Sequence, residues 1–368
     1  MPDNMVSYAK QYFGLDYDRM PLTEIDSLIL SQVVYYNYAG TDFDGPEFKI
    51  SLADFLKEHP EGNKEWEMPM NEDDDLIRLL QMGGRHGNLK GCHFLAVKDD
   101  DAEKQFSALT FEIKKDLYYI VFRGTDNSVT GWKEDLNLSY RDVIPAQEEA
   151  LIYAEKVMKQ FEGEFYVGGH SKGGNLAVYT AMNLPEEYQN RILGIYNHDG
   201  PGFAKHIYES EKYKKIRPLI HKTIPESSLI GLLWEEDDNY KVVKTKTIGL
   251  WQHITYTWLV ENDKLVEVED TDRFAKYMQK TLERWMDELE PEDRKRFVDT
   301  VFDAISKTEV ESFQDLGTET FKKMKRFIEG VAEMPGEEKK HVFQAFKQLL
   351  KISAEEIKDD IKEELKGE

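Results

Sequence analysis

The stretch Phe165 to Ala181 reads FYVGGHSKGGNLAVYTA. Within it Gly169-His170-Ser171-Lys172-Gly173 sets a serine between two glycines, where strand-forming residues give way to helix formers. Such a G-x-S-x-G joint makes a strand run straight into a helix, with the serine at the corner in a strained conformation that pushes its hydroxyl outward. Side chains two positions before and two after would collide at that bend, so Gly169 and Gly173 are the expected elbow glycines. A strand that delivers a helix in this way belongs to a sheet covered by helices. The expected fold class is therefore α/β, with a mostly parallel sheet flanked by helices and a helical C-terminal appendage.

The rest of the chain agrees with that expectation up to about Val260. Strand candidates are FSALTFEI, LYYIVF, FYVGG, ILGIYN, IRPLIHKTI and YKVVKT, and the first two, joined by KKD, read as a hairpin. Ala150, Leu151, Ala154, Val157, Met158 and Phe161 recur at helical spacing ahead of the Phe165 strand. From about Thr271 the strand signals stop. Phe274, Met278, Leu282, Trp285 and Leu289 fall on one helical face, and Pro291 opens a further helix through Phe297, Val298, Val301, Phe302 and Ile305. Additional helical patterns run through Phe321–Val331 and Val342–Leu350, before a charged end. Residues 1–268 are thus expected to form the sheet domain and 269–368 a helical region offering a surface to a protein partner.

Composition narrows the function classes. A formal charge of −23 repels phosphate backbones and anionic membranes, which argues against nucleic-acid binding, while 40 % hydrophobic and 12 % aromatic residues argue against disorder. Cys92 is the only cysteine, which fits a reducing compartment. The first residues lack a cationic start with an apolar core, and no stretch approaches the roughly 18 apolar residues of a membrane span, so a cytoplasmic location is expected. The acidic runs at Asn71–Asp75, Asp99–Asp101 and Glu235–Asp238 lack the spacing of a calcium loop and read as solvated turns. Neither a metal nor any other cofactor is called for.

An acyl-transferring serine needs donors for the developing oxyanion. One is the backbone N–H of Lys172, aided by the helix N-terminus. A second belongs at the end of an earlier strand, and in YYIVFRGTDNSVTGWKEDL the strand ends at Phe122, Gly124 permits a tight turn, and Thr125 offers its N–H.

With these segments in place the chain resembles the lipase class 3 branch of the α/β-hydrolases. VFRGT, a downstream Trp132, Asp135 and Leu136, and GGHSKGGNLA carry the likeness. It is closer still to a bacterial lipase-like family with an ID.L.LS...YY segment (Ile25 to Tyr36), a DGPGF loop (Asp199 to Phe203), PESSLIGLL (Pro225 to Leu233) and GL.QH....W (Gly249 to Trp258). The resemblance spans Ile25 to Val260. It implies Ser171 as nucleophile, with Thr125 and Lys172 at the oxyanion.

The triad acid does not carry over, because Lys222 stands where class 3 lipases place an aspartate. Two carboxylates remain. Asp199 follows the ILGIYN strand on a loop stiffened by Pro201 and is favoured; Glu226 follows the next strand and stays open as the alternative. The base must follow the acid in chain order, which leaves His206, His221 and His253. His206 lies in a charged stretch and His221 at the end of a strand as a core candidate. His253 follows the last strand, with Leu250 and Trp251 expected to keep its imidazole in a low-water pocket, and is chosen. His170 is expected to face away from substrate as packing support.

The implied activity is hydrolysis of carboxylic esters, small or lipid, through a Ser-His-Asp triad and an acyl-enzyme. The competing expectation is a hydrolase-fold binding protein with weak catalysis that uses its helical tail. Ser228–Trp234 reads either as a lid or acyl-binding wall or as a buried helix turn, and Lys172 suggests an anionic substrate group near the elbow.

Overall fold

A computed structural model describes residues 3–59, 71–126 and 129–306, together with 336, 340, 344, 347, 348, 351–353 and 355. The helical pattern at 321–331 lies outside these residues, as does most of the 342–350 pattern and of the charged end. Contacts divide the chain into two units: Met1–Thr125 with Pro145–Thr271, and Asp126–Ile144 with Asp272–Glu368.

In the first unit the strands are β1 (Lys90–Asp99), β2 (Lys104–Lys114), β3 (Leu117–Phe122), β4 (Glu164–His170), β5 (Ile192–His198), β6 (Ile220–Pro225) and β7 (Tyr240–Val243), followed by a ribbon of β8 (Val260–Glu261) with β9 (Lys264–Leu265), and by β10 (Glu267–Val268). The sheet runs β1-β2-β3-β4-β5-β6-β7-β10. Its centre, β3 to β7, is parallel, and antiparallel pairs close both edges. This mostly parallel sheet flanked by helices is an α/β-hydrolase fold. β2 and β3 form the expected hairpin, with Asp116 at positive φ in its turn.

Alternation along β3 assigns the two faces of the sheet. Tyr119 and Val121 point into a large core with Leu28, Ile29, Val33, Phe43 and Phe55 from the N-terminal helices. Phe122 points the other way, onto Tyr153 of the Pro145–Gln160 helix, whose hydroxyl also bonds Thr110 Oγ1 at 2.9 Å. Two boundaries differ from the sequence expectation. β1 lies outside the strand candidates of the sequence: a bulge between Cys92 and Leu95, with His93 at φ 57°, breaks the alternation that marks a strand. β6 starts only at Ile220, because Pro218 sits in a 3-10 turn over Arg217–Leu219 and cannot donate to a ladder.

The N-terminal helices are locked by a buried charge cluster. Asp26, on the Glu24–Val33 helix, accepts from Arg85 Nε (2.8 Å) and Nη2 (2.6 Å), His86 Nε2 (2.8 Å), Tyr8 (3.1 Å) and the Thr23 amide (2.8 Å). Arg85 also donates to the carbonyls of Leu15, Asp16, Met20 and Pro21. Burial opposes the charge on Asp26, but the hydrogen bonds from Arg85 and His86 outweigh it and hold the carboxyl well below its ordinary range. Arg85→Met would leave that carboxylate buried without its main partner, a loss of about 3–5 kcal/mol. Urea denaturation should register it as a large drop in midpoint, whereas a change under about 1 kcal/mol would show that the cluster adds little to stability.

In the second unit the helices Val129–Asn137, Arg273–Asp287 and Pro291–Ser306 are described. Lys133 Nζ pairs with Asp299 at 3.0 Å, and Arg294 Nη1 donates to the Ser139 carbonyl at 2.7 Å. Trp285 packs edge-on against Phe297, ring centroids 5.1 Å apart. Phe274 does not share that face as the spacing suggested. It is exposed, whereas Trp285 of the same stripe is buried and Leu289 packs against it; Met278 and Leu282 are half-buried.

Candidate active site

Ser171 stands between β4 and the helix Lys172–Asn183, at φ 57° and ψ −131°, a conformation an L-residue adopts only under constraint. Its amide donates to the His198 carbonyl at 2.9 Å, tying the bend to the neighbouring strand β5. A Cβ on Gly169 would lie 2.4 Å from the Phe122 carbonyl oxygen and 2.5 Å from the Gly173 carbonyl carbon, and one on Gly173 would lie 2.1 Å from the same Phe122 oxygen. Both clashes are with backbone, so no side-chain adjustment relieves them. The strand end carrying Thr125 lies alongside: a Cβ on Gly124 would come within 3.1 Å of Ser171 Cβ.

Asp199 follows β5 at φ 53° and is fully buried. Its Oδ2 lies 2.6 Å from His253 Nδ1, while Oδ1 accepts from Ser228 Oγ at 2.5 Å and from the Gly231 amide at 3.1 Å. Both oxygens are thereby committed, one to the imidazole and one to the 228–231 turn. His253 ends a short 3-10 segment, Gly249–His253, that is pinned through Gln252: its Oε1 accepts from the Ser227 amide at 2.7 Å, its Nε2 donates to the Thr247 carbonyl at 3.0 Å, and its carbonyl accepts from Trp258 Nε1 at 2.8 Å. Glu226 Oε1 meets the Thr245 amide at 3.4 Å. His206 and His221 are both exposed.

Three sequence expectations change here. Lys172 cannot greet an anionic substrate, because its side chain is buried and Nζ donates to the Gln105 carbonyl at 2.8 Å and to Gln105 Oε1 at 2.9 Å. Ser228–Trp234 forms a run of tight turns rather than a helix turn, and Ser228 and Gly231 within it grip Asp199. Trp251 does not shield His253, being 65 % exposed; the Leu250 side chain lies outside the described residues. Lys222, in the position of the class 3 aspartate, is buried in an ion pair with Glu235.

Sequence reasoning also understated His170. Its ring packs against that of His253, centroids 4.4 Å apart, and its Nε2–H donates to the His253 carbonyl at 2.9 Å. Its proximity to His253 is visible only in three dimensions, 83 residues apart in the chain. Burial, then the neighbouring His253 and His198, keeps His170 well below the ordinary histidine range. Burial, with a smaller contribution from His221, pushes His198 down to about 3; its Nε2 bonds Ser27 Oγ at 2.8 Å.

Both folded values lie below the unfolded one, so the fold holds the neutral rings. Their stabilisation is complete above about pH 6.5 and is lost as the pH falls, at about 1.4 kcal/mol per pH unit for each ring, until the folded value is reached. His198 alone should lower the unfolding free energy by about 2 kcal/mol between pH 7 and pH 5, and His170 should lower it further. Urea titrations at the two pH values check this, and equal midpoints would refute it.

Among the described residues no group of three or more histidine, cysteine or acidic side chains is placed to hold a metal. No described helix is long and apolar enough to cross a membrane.

Three solved structures are similar to part of this chain. A fungal lipase in complex with an inhibitor matches at 19 % identity, over 43 % of this chain and 66 % of that one, with a TM-score of 0.31. M37 lipase matches at 15 % identity, over 58 % and 70 %, with a TM-score of 0.37. The native propeptide complex of Rhizomucor miehei lipase matches at 16 % identity, over 67 % and 82 %, with a TM-score of 0.32. The chain thus spans about two thirds of the first of these lipases. No curated protein matches it. The Mbeg1-like family matches residues 81–303, more than half of the chain, and takes in the bend at Ser171, the Asp199 loop and His253. The chain is a member of the Mbeg1-like family.

Proposed function

We propose that the protein is a serine carboxylester hydrolase, of lipase or esterase type, with Ser171 as nucleophile, His253 as base and Asp199 as acid. The observation that carries this reading is the 2.6 Å contact between Asp199 Oδ2 and His253 Nδ1, beside a serine held at a strained strand–helix corner. The imidazole belongs to the same site because its ring rests on His170, the residue before Ser171.

The chemistry follows from the hydrogen bonds. Asp199 accepts from Nδ1–H, which leaves Nε2 of the neutral ring as the proton acceptor. As Ser171 Oγ attacks an ester carbonyl, its proton passes to Nε2, and the imidazolium is stabilised by the Asp199 carboxylate. The oxyanion meets the backbone N–H groups of Lys172 and Thr125, the first reinforced by the helix N-terminus. His253 then protonates the departing alkoxide, and water repeats the sequence on the acyl-enzyme. The binding-protein reading took its force from the missing class 3 aspartate, and an Asp199 already bonded to His253 takes that force away.

A fluorophosphonate probe on the intact protein, with the modified peptide identified by mass spectrometry, tests the reading. Labelling at Ser171, together with turnover of p-nitrophenyl esters, is expected. A protein that takes no label and hydrolyses no ester from acetyl to dodecanoyl would refute it.

A further inference from the structure

The segment Ile25–Tyr36 has no place in the chemistry above, yet it ends at the site. Tyr35 follows the Glu24–Val33 helix, with its amide bonded to the Gln32 carbonyl at 3.2 Å. The helix is held from below by the Asp26–Arg85 cluster, and at its centre Ser27 Oγ bonds both His198 Nε2 (2.8 Å) and Tyr119 (2.6 Å). Tyr35 is half-buried, and its hydroxyl fills the notch above Gly124. A Cβ on Gly124 would meet Tyr35 Oη at 2.3 Å, the His170 carbonyl oxygen at 2.6 Å and Ser171 Cβ at 3.1 Å. Tyr35 Oη is therefore no farther from Ser171 Cβ than 2.3 Å and 3.1 Å laid end to end. A tetrahedral carbon on Ser171 Oγ carries its oxyanion two bonds beyond that oxygen, within this span.

We propose that Tyr35 is a further catalytic residue, its hydroxyl donating a third hydrogen bond to the oxyanion beside the N–H groups of Thr125 and Lys172. The inference rests on the serine-hydrolase reading. A phenol suits this role because it is neutral and protonated at neutral pH, donates strongly, and keeps its proton throughout, so no extra acid or base enters the cycle. Its anchoring matters equally. A donor in the turn that ends a helix fixed by buried hydrogen bonds is already aimed when charge develops, and needs no reorganisation. Glycine at position 124 is then required for the hydroxyl to reach the site, because any side chain would occupy its place.

Tyr35→Phe keeps the ring and removes the donor. With p-nitrophenyl butyrate it should lower kcat about 10- to 100-fold, with KM within about twofold and an unchanged urea midpoint. The rate constant for fluorophosphonate inactivation should fall in parallel, since the phosphonyl oxygen develops in the same place. Unchanged kcat and inactivation would overturn the proposal, and so would a loss of activity accompanied by a lowered urea midpoint. The two readings separate cleanly. Labelling of Ser171 with no effect of Tyr35→Phe removes Tyr35 alone, whereas a wild-type protein that is never labelled removes the serine and Tyr35 together.

Discussion

Ser171→Ala should reduce ester turnover by about 10⁵-fold or more and abolish fluorophosphonate labelling, while the protein remains folded. The size of the effect follows from the role. Without Oγ there is no acyl-enzyme, and what survives is the modest help that oxyanion donors and binding give to direct attack by water. The fold should tolerate the change because the serine hydroxyl is not what makes the bend. Ser171 sits at φ 57° with its amide on the His198 carbonyl, and alanine keeps both the amide and the same steric demand. Ser171→Gly extends the test. Removing Cβ relieves a strain of order 1–3 kcal/mol, so this variant should be inactive yet more stable than wild type in urea. A serine that contributed only to the fold would give the opposite pattern, with activity and stability falling together. Label that persists in Ser171→Ala would mean that the nucleophile lies elsewhere.

The elbow was legible in the sequence because its causes are local. Two glycines flank a serine where a short strand run meets helix formers, and the clashes that require them lie within a few residues of the bend and in the adjoining strand end. Chain order singles out His253, which the structure brings against Asp199. What surrounds these groups was not legible, because it comes from distant segments with no periodic signature. Ser228 and Gly231 reach Asp199 from a loop that reads in sequence as an apolar run, with nothing periodic to mark its polar atoms. Tyr35 arrives from the N-terminal helices, whose position depends on Arg85 finding Asp26 across 59 residues. The segment Asp126–Ile144 interrupts the sheet domain in sequence yet joins the helical unit, and nothing in its composition differs from an ordinary connection between strands. Apolar spacing alone put Phe274 on the buried face with Trp285, but Phe274 lies in the first turn of the Arg273–Asp287 helix and is exposed.

Asp199→Asn should cost about 10⁴-fold in kcat, and Glu226→Gln less than about threefold. The contrast comes from the hydrogen bonds on each carboxylate. Asp199 Oδ1 is claimed by two donors, Ser228 Oγ and the Gly231 amide, and an asparagine would be held in the orientation that gives those donors its carbonyl oxygen. Its NH₂ group would then point at His253 Nδ1, 2.6 Å from Oδ2 in the native site. A donor there forces Nδ1 to accept, which moves the ring proton to Nε2 and leaves no lone pair for the Ser171 hydroxyl. The variant would keep the shape of the site and carry the wrong tautomer. Among the described residues the Glu226 side chain has one long contact, 3.4 Å from the Thr245 amide, and its replacement by glutamine preserves an acceptor for that amide. Steady-state turnover of p-nitrophenyl butyrate by the two variants, with urea midpoints as a control for folding, decides between the carboxylates. A crippled Glu226→Gln beside an active Asp199→Asn would transfer the acid to Glu226 and require the His253 loop to swing away from the Asp199 contact during the reaction.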